Sequence, residues 1–297
     1  MAEARRVDDA VLAAHPLPGV DDEDDKEARG RVLVVGGSGE TAGAAILAGL
    51  AALRAGAGKL QVACAASAAR AQAVTLTEAR VIGVAETPDG CLSAELPPSL
   101  QEALAGAAAV LVGPGLLGEP AAVRAHVAAV LAATRASCVV LDAAALYAVA
   151  DEPRLLEPFR GRAVLTPNES ELASLLGREG PARAGPEELR ALAARTGAAI
   201  ATVRGVADAD AAFDDETGGP GLGTSGSGDV LSGIVAGLAA RGAPPLAAAL
   251  WGRHLHGRAG DRLAERIAPL GFLARELPEE VPRELAAIQG RLAQHGD

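Results

Sequence analysis

Short apolar runs alternate along this chain with longer stretches rich in Ala and Leu. The runs at residues 31–35, 59–63, 80–84, 109–112, 138–141, 163–165 and 200–203 are continuous rather than alternating in polarity. Such runs are what parallel strands require when helices cover both faces of their sheet. The intervening stretches have helical composition, and 245–266 predicts a helix ending before Pro269. The pattern predicts an α/β fold, an open, mostly parallel sheet with helices on both faces. The more polar stretch 206–213 predicts a hairpin at the edge of that sheet.

In an open α/β sheet, ligands gather beyond the carboxyl ends of the strands. There Val35 leads into Gly36-Gly37-Ser38-Gly39, Val112 into Gly113-Pro114-Gly115, and Leu141 into Asp142. Leu165 leads into Thr166-Pro167-Asn168-Glu169-Ser170-Glu171, a Pro-fixed turn and a helix start with Glu171 in the first turn. The segment 37–42 has the outline of a dinucleotide fingerprint. That fingerprint needs an acidic residue at the end of the second strand, where this chain has Ala63-Cys64-Ala65-Ala66-Ser67, so hydride transfer on a Rossmann site is rejected.

The strongest chemical signal is Gly226-Ser227-Gly228-Asp229, set before the apolar run 230–237. A turn with little side chain can aim its amides at a phosphate, and a helix beginning there adds the positive end of its dipole. Asp229 has two competing readings, N-cap of that helix or catalytic base beside the phosphate. Gly233 and Gly237 read as positions that let the helix pack tightly on the sheet.

Length and charge narrow the class. The chain has 297 residues with no linker in its middle, which predicts one domain over 1–297, with an acidic segment at 1–29 and a tail from about 286. Its net charge is −11, from 38 acidic and 27 basic residues, which disfavours nucleic acid or a membrane surface as a partner. The acidic run 21–25 reads as a solvated surface segment. Cys64, Cys91 and Cys138 are too scattered for a disulfide framework or a metal site, and with no apolar leader or span they predict a soluble protein of the cytoplasm. Lysine occurs only as Lys26 and Lys59, so a phosphate clamp falls to arginine or backbone. His254 and His256 point in different directions on a helix and read as structural rather than as a metal pair.

Six stretches together bring a family into view: Gly36-Gly37-Ser38 with Gly43-Ala44-Ala45, Leu53-Arg54-Ala55-Gly56-Ala57-Gly58, Gly113-Pro114-Gly115, Leu165-Thr166-Pro167, Gly226-Ser227-Gly228-Asp229, and Leu255-His256-Gly257. In this order, over roughly 26–285, they resemble the ADP/ATP-dependent NAD(P)H-hydrate dehydratases of the ribokinase-like superfamily, in the form without a fused epimerase domain. The resemblance implies that hydrated NADH or NADPH is dehydrated at the expense of ADP or ATP with Mg2+. The ring hydroxyl would be phosphorylated and the phosphate then eliminated. It implies Asp229 as the base, with Ala44, Gly115, Asn168 and Asp229 at the substrate. Arg204, Gly205, Val206, Ala207, Asp208, Ser225, Gly226, Ser227 and Gly228 would face the nucleotide. Asp142 and Glu171 would support the site, Asp142 either by orienting water or metal or by capping a helix. A homo-oligomer, often a tetramer, is the family's usual assembly.

The chain departs from the family at three positions. Asn168 stands where bacterial members commonly have His, Arg204 replaces a Lys, and Asp208 replaces a Thr and would repel a phosphate if turned inward. Two alternatives share the anion turn: a kinase of the same superfamily acting on a stable alcohol, and a nucleotide-binding protein without turnover.

Overall fold

In the computed structural model, residues 4–19 and 26–295 are described, and the acidic run 21–25 lies outside them. The first half comprises β1 (Arg5–Arg6), α1 (Asp9–Ala14), β2 (Arg31–Val35), α2 (Ala42–Arg54), β3 (Lys59–Ala65), α3 (Ala66–Thr75), β4 (Ala79–Val84), α4 (Pro98–Gly106), β5 (Ala109–Val112) and α5 (Pro120–Ala133). The second half comprises β6 (Cys138–Leu141), α6 (Ala144–Asp151), β7 (Ala163–Leu165), α7 (Glu169–Leu176), α8 (Pro186–Thr196), β8 (Ala199–Ala201), β9 (Gly205–Ala207), β10 (Ala212–Asp214), α9 (Ser227–Ala240), α10 (Pro245–Arg266) and α11 (Leu277–His295).

The strands form one ten-stranded sheet in the order β1-β10-β9-β8-β7-β6-β5-β2-β3-β4. All pairings are parallel except those of β9 with β8 and β10. The unbroken apolar runs follow from this layering. Val32 and Val34 of β2 point into the core beneath α2, α9, α10 and α11, while Leu33 and Val35 point into the core beneath α4, α5 and α6. Both faces of each central strand are therefore buried, so neither alternate residue can be polar.

Three expectations need correction. The 205–214 hairpin exists, but it is not the edge: Arg5 and Arg6 pair in parallel with Phe213 and Asp214. Two charged residues carry no β signature, and β1 forms because the open edge of β10 offers main-chain partners. The stretch from 286 belongs to α11 rather than to a tail, with Ile288 in the core. Gly233 and Gly237 serve close packing, but against α2: a Cβ at either position would run into the carbonyl of Ala48 or Ala52. That contact lets two Ala/Gly-rich helices approach backbone to backbone, bringing the start of α9 next to the start of α2.

Candidate active site

From β2 the chain runs on to β3 and β4 in one direction, and from β5 to β6, β7 and β8 in the other. The crevice of such a sheet opens at this reversal, beyond the carboxyl ends of β2 and β5. Two loops meet there. Gly37 N–H donates to Pro114 O at 2.8 Å, Ser38 N–H to Gly115 O at 2.8 Å, and Thr41 Oγ1–H to the same Gly115 oxygen at 2.7 Å. Leu117 N–H returns a bond to Ser38 Oγ at 3.0 Å. Gly115 has φ +64° and sits against Ala44 in the first turn of α2. The two small residues expected at the substrate are thus neighbours on the floor of the crevice.

The anion turn lies at the same end of the contact between α2 and α9, beside Leu47. Gly226 is the N-cap of α9, in the left-handed region at φ +88°, where a Cβ would lie 2.5 Å from Leu47 Cδ1. Glycine is required there by both backbone and space. Asp229 is therefore not the cap but the third residue of the helix, and its carboxylate makes no capping bond. Within the turn, Ser227 N–H donates to Thr224 O at 3.2 Å, whereas the amides of Ser225, Gly226, Gly228 and Asp229 meet no acceptor among the described residues. Unspent N–H groups at a helix start are the donors an anion site uses. Gly228 is exposed and a Cβ on it would meet nothing within 4 Å, so the space above it is open.

Asp229, Asp142 and Glu171 form an acidic cluster along this edge. Burial, reinforced by the charge of Asp142, raises the Asp229 carboxyl to about 7. Burial also raises Glu171 to about 7, with Asp142 and then Asp229 adding like charge. Asp142 itself is raised to about 6 by burial, against the opposing hydrogen bonds of Ser232, Thr166 and the Ala143 amide. Thr166 Oγ1–H donates to Asp142 Oδ1 at 3.0 Å. Ala143 is the one non-glycine residue with positive φ among the described residues, at φ +48° and ψ −127°. Its strained backbone turns an amide onto the Asp142 carboxylate, so the carboxylate is fixed from several sides. Asp142 precedes the N-cap position of α6, and no side-chain bond caps that helix.

Asn168 is occupied differently. Its Oδ1 accepts from Ser170 N–H at 2.8 Å and Glu171 N–H at 3.0 Å, and Glu171 Oε2 accepts from Asn168 N–H at 2.9 Å. This capping box starts α7 and holds Glu171 at the crevice. The Asn168 side chain also bonds the Glu171 carboxylate, which opposes the upward shift of that acid.

The nucleotide segment divides because β9 is antiparallel. Arg204 lies in the β8–β9 turn at the carboxyl edge and Gly205 opens β9, and the Arg204 guanidinium is exposed and makes no ion pair among the described residues. Val206 and Ala207 are buried and run back into the sheet, so that Asp208 is set apart from the edge. Asp208 Oδ1 accepts the amides of Asp210 at 2.9 Å and Ala211 at 2.7 Å, closing its own hairpin turn. Its charge is held by that turn rather than aimed at a phosphate.

Sequence reasoning missed the layer beneath the anion turn. Arg253 on α10 donates through Nε to Val203 O at 2.8 Å and through Nη2 to Thr217 O at 2.8 Å and Asp215 O at 3.2 Å, clasping the loops on either side of the hairpin. His254 Nδ1 lies 3.2 Å from Asp215 Oδ2, and His256 Nε2 lies 2.9 Å from Ser227 Oγ. The signal was present: polar residues in the middle of an otherwise apolar helix must find partners in the interior. Their partners, distant in sequence, could not be read from it. Among the described residues no group of three or more His, Cys, Asp or Glu side chains forms a metal site, and no helix is long and apolar enough to cross a membrane.

A family model of NAD(P)H-hydrate dehydratases matches residues 32–283. The chain is 46% identical to the ADP-dependent (S)-NAD(P)H-hydrate dehydratase of Xanthomonas campestris pv. campestris, over 94% of this chain and 95% of the relative. It is 38% identical to a bifunctional NAD(P)H-hydrate repair enzyme of Moorella thermoacetica, of whose length it spans 57%, against 97% of its own. The crystal structure of the ADP/ATP-dependent NAD(P)H-hydrate dehydratase of Bacillus subtilis, co-crystallised with ATP and Mg2+, superposes with a TM-score of 0.73 at 25% identity, covering 98% of this chain and 100% of the other. A ribokinase-like superfamily protein of Enterococcus faecalis gives a TM-score of 0.78 at 23% identity, with 96% of each chain covered, which bears on the fold alone. The crevice between β2 and β5, the glycine turn at α9 and these likenesses converge: the chain belongs to the NAD(P)H-hydrate dehydratases, nucleotide-dependent hydro-lyases on a ribokinase-like fold.

Proposed function

We propose that this chain returns hydrated NADH or NADPH to the reduced cofactor, using ADP or ATP as phosphoryl donor. One observation carries the reading: unpaired amides at the start of α9 lie beside a carboxylate whose ionisation is held near neutrality. In this mechanism the ring hydroxyl oxygen attacks the terminal phosphorus of the nucleotide, Asp229 takes the hydroxyl proton, and the bond to the departing nucleotide breaks. The amides of Ser225, Gly226, Gly228 and Asp229 receive the phosphoryl charge. Phosphate then leaves with the carbon–oxygen bond pair, the ring gives up a proton, and its double bond returns.

Ala44 and Gly115 form the flat surface under the ring, where no side chain intrudes, and the side-chain amide of Asn168 turns from Glu171 to donate to the substrate. Arg204, with Gly205 beside it, faces the nucleotide, while Val206, Ala207 and Asp208 hold the hairpin that carries them. Mg2+ enters as the companion of the nucleotide phosphates, which with water supply most of its ligands and whose charge it offsets. The working assembly is a homo-oligomer, a reading supported by the exposed apolar side chains of Ile267, Leu270 and Leu273. A reducing cytoplasm is supported by Cys64, Cys91 and Cys138, all buried as free thiols.

The test supplies hydrated NADH, Mg2+ and either ADP or ATP, and follows recovery of the near-ultraviolet absorbance of the reduced ring. Recovery with release of free phosphate is expected. No recovery with either nucleotide overturns the reading, and a lasting phosphoester on another alcohol would assign a kinase instead.

A further inference from the structure

The anion turn has no side-chain cap of its own. Gly226, the N-cap of α9, carries no side chain to bond the first-turn amides. A helix start built this way must be held from outside if its amides are to keep one direction. Ser227 is 4% exposed, so its hydroxyl is turned into the core while Gly228 next to it faces the opening. The hydroxyl makes one hydrogen bond among the described residues, to His256 Nε2 at 2.9 Å.

We propose that His256 is a positioning residue for the anion turn: through Ser227 it pegs the first turn of α9 to α10, so that the amides of Gly226, Gly228 and Asp229 converge on one phosphoryl group. The proposal rests on nucleotide binding at this turn, as read above. Two features suit His256 to the task. Burial and then the charge of Arg253 push its imidazole down to about 3, so the ring stays neutral and the peg does not loosen with pH. The helix carrying it is itself fixed, since Arg253 clasps the carbonyls of Val203, Asp215 and Thr217, and a Cβ on Gly257 would strike Thr217 and Arg253. The pair His254 and His256 is thus structural in one member, while the other acts on the site through a hydroxyl.

Calorimetry of Mg2+–ADP binding to the full chain tests this with His256→Leu, His256→Gln, Ser227→Ala and the double variant His256→Leu/Ser227→Ala. Loss of the buried bond is expected to weaken binding about tenfold in His256→Leu and in Ser227→Ala. The double variant should bind no worse than either alone, because one interaction is removed in all three. His256→Gln, which retains a donor, should recover part of the affinity. Thermal unfolding of the same samples identifies any variant that fails to fold, and Ser227→Ala, the smallest change, carries the test if His256→Leu is lost. Unchanged affinity in Ser227→Ala, or additive losses in the double variant, overturns the proposal. Failure of the unsubstituted chain to bind the nucleotide overturns the functional reading as well.

Discussion

A Cβ built on Gly115 would lie 2.9 Å from the Cβ of Ala44, closer than side chains tolerate. The loop after β5 and the first turn of α2 therefore touch along bare backbone, and that contact forms the floor of the crevice. Gly115→Ala would force a left-handed backbone on alanine and press its methyl against both Thr41 O and Ala44. We expect a loss of about 2–3 kcal/mol in urea denaturation, together with a raised KM for the hydrated cofactor. Stability within about 0.5 kcal/mol of the parent would show that the two loops are not locked together.

Asp229→Asn keeps the shape of the side chain and removes the base. Nucleotide binding should persist while kcat falls about a hundredfold or more, since Gly226 rather than Asp229 caps α9. The parent rate should rise with pH through about 7, where Asp229 becomes ionised. Nearly full activity in the variant would remove Asp229 from the chemistry.

The acidic cluster fixes the sign of a pH effect on stability. Asp142 is raised to about 6, and Glu171 and Asp229 to about 7, all above their unfolded values. Groups shifted this way stabilise the fold fully below about pH 4 and lose that contribution as pH rises through 6 to 7. Asp142→Asn should flatten this part of the stability profile and move the acid limb of kcat to lower pH, because one like charge facing Asp229 and Glu171 is gone. Denaturation midpoints at pH 5 and 8, with a pH–rate profile, check both statements; an acid limb that stays in place would detach Asp142 from Asp229.

Asn168→Ala removes the side-chain half of the capping box on α7. A loss of about 1 kcal/mol is expected, with little loss in Asn168→Asp, which keeps the acceptor. Should Asn168→Ala leave stability untouched and raise only KM, its amide would serve the substrate alone.

Much of this protein was legible before any coordinates. Strands β5, β6 and β7 fall at the residues where unbroken apolar runs occur, because a strand covered on both faces can contain little else. The α10 helix, the glycine turn and the acid after it were legible for similar reasons, since each depends on local backbone chemistry. The two charged residues of β1 were not, because an edge strand is recruited by main-chain partners rather than by its own side chains.

The amino-acid sequence by itself determined the layers of this fold and the small and acidic residues that line its edge, since burial periodicity and turn chemistry are local. Only the tertiary structure decided that Gly226 caps α9 in place of Asp229, that Asp208 closes its own turn away from the edge, and that His256 reaches Ser227 from 29 residues along the chain. Each depends on which distant groups the folded sheet and its helices bring within hydrogen-bonding range, and no local pattern encodes that distance.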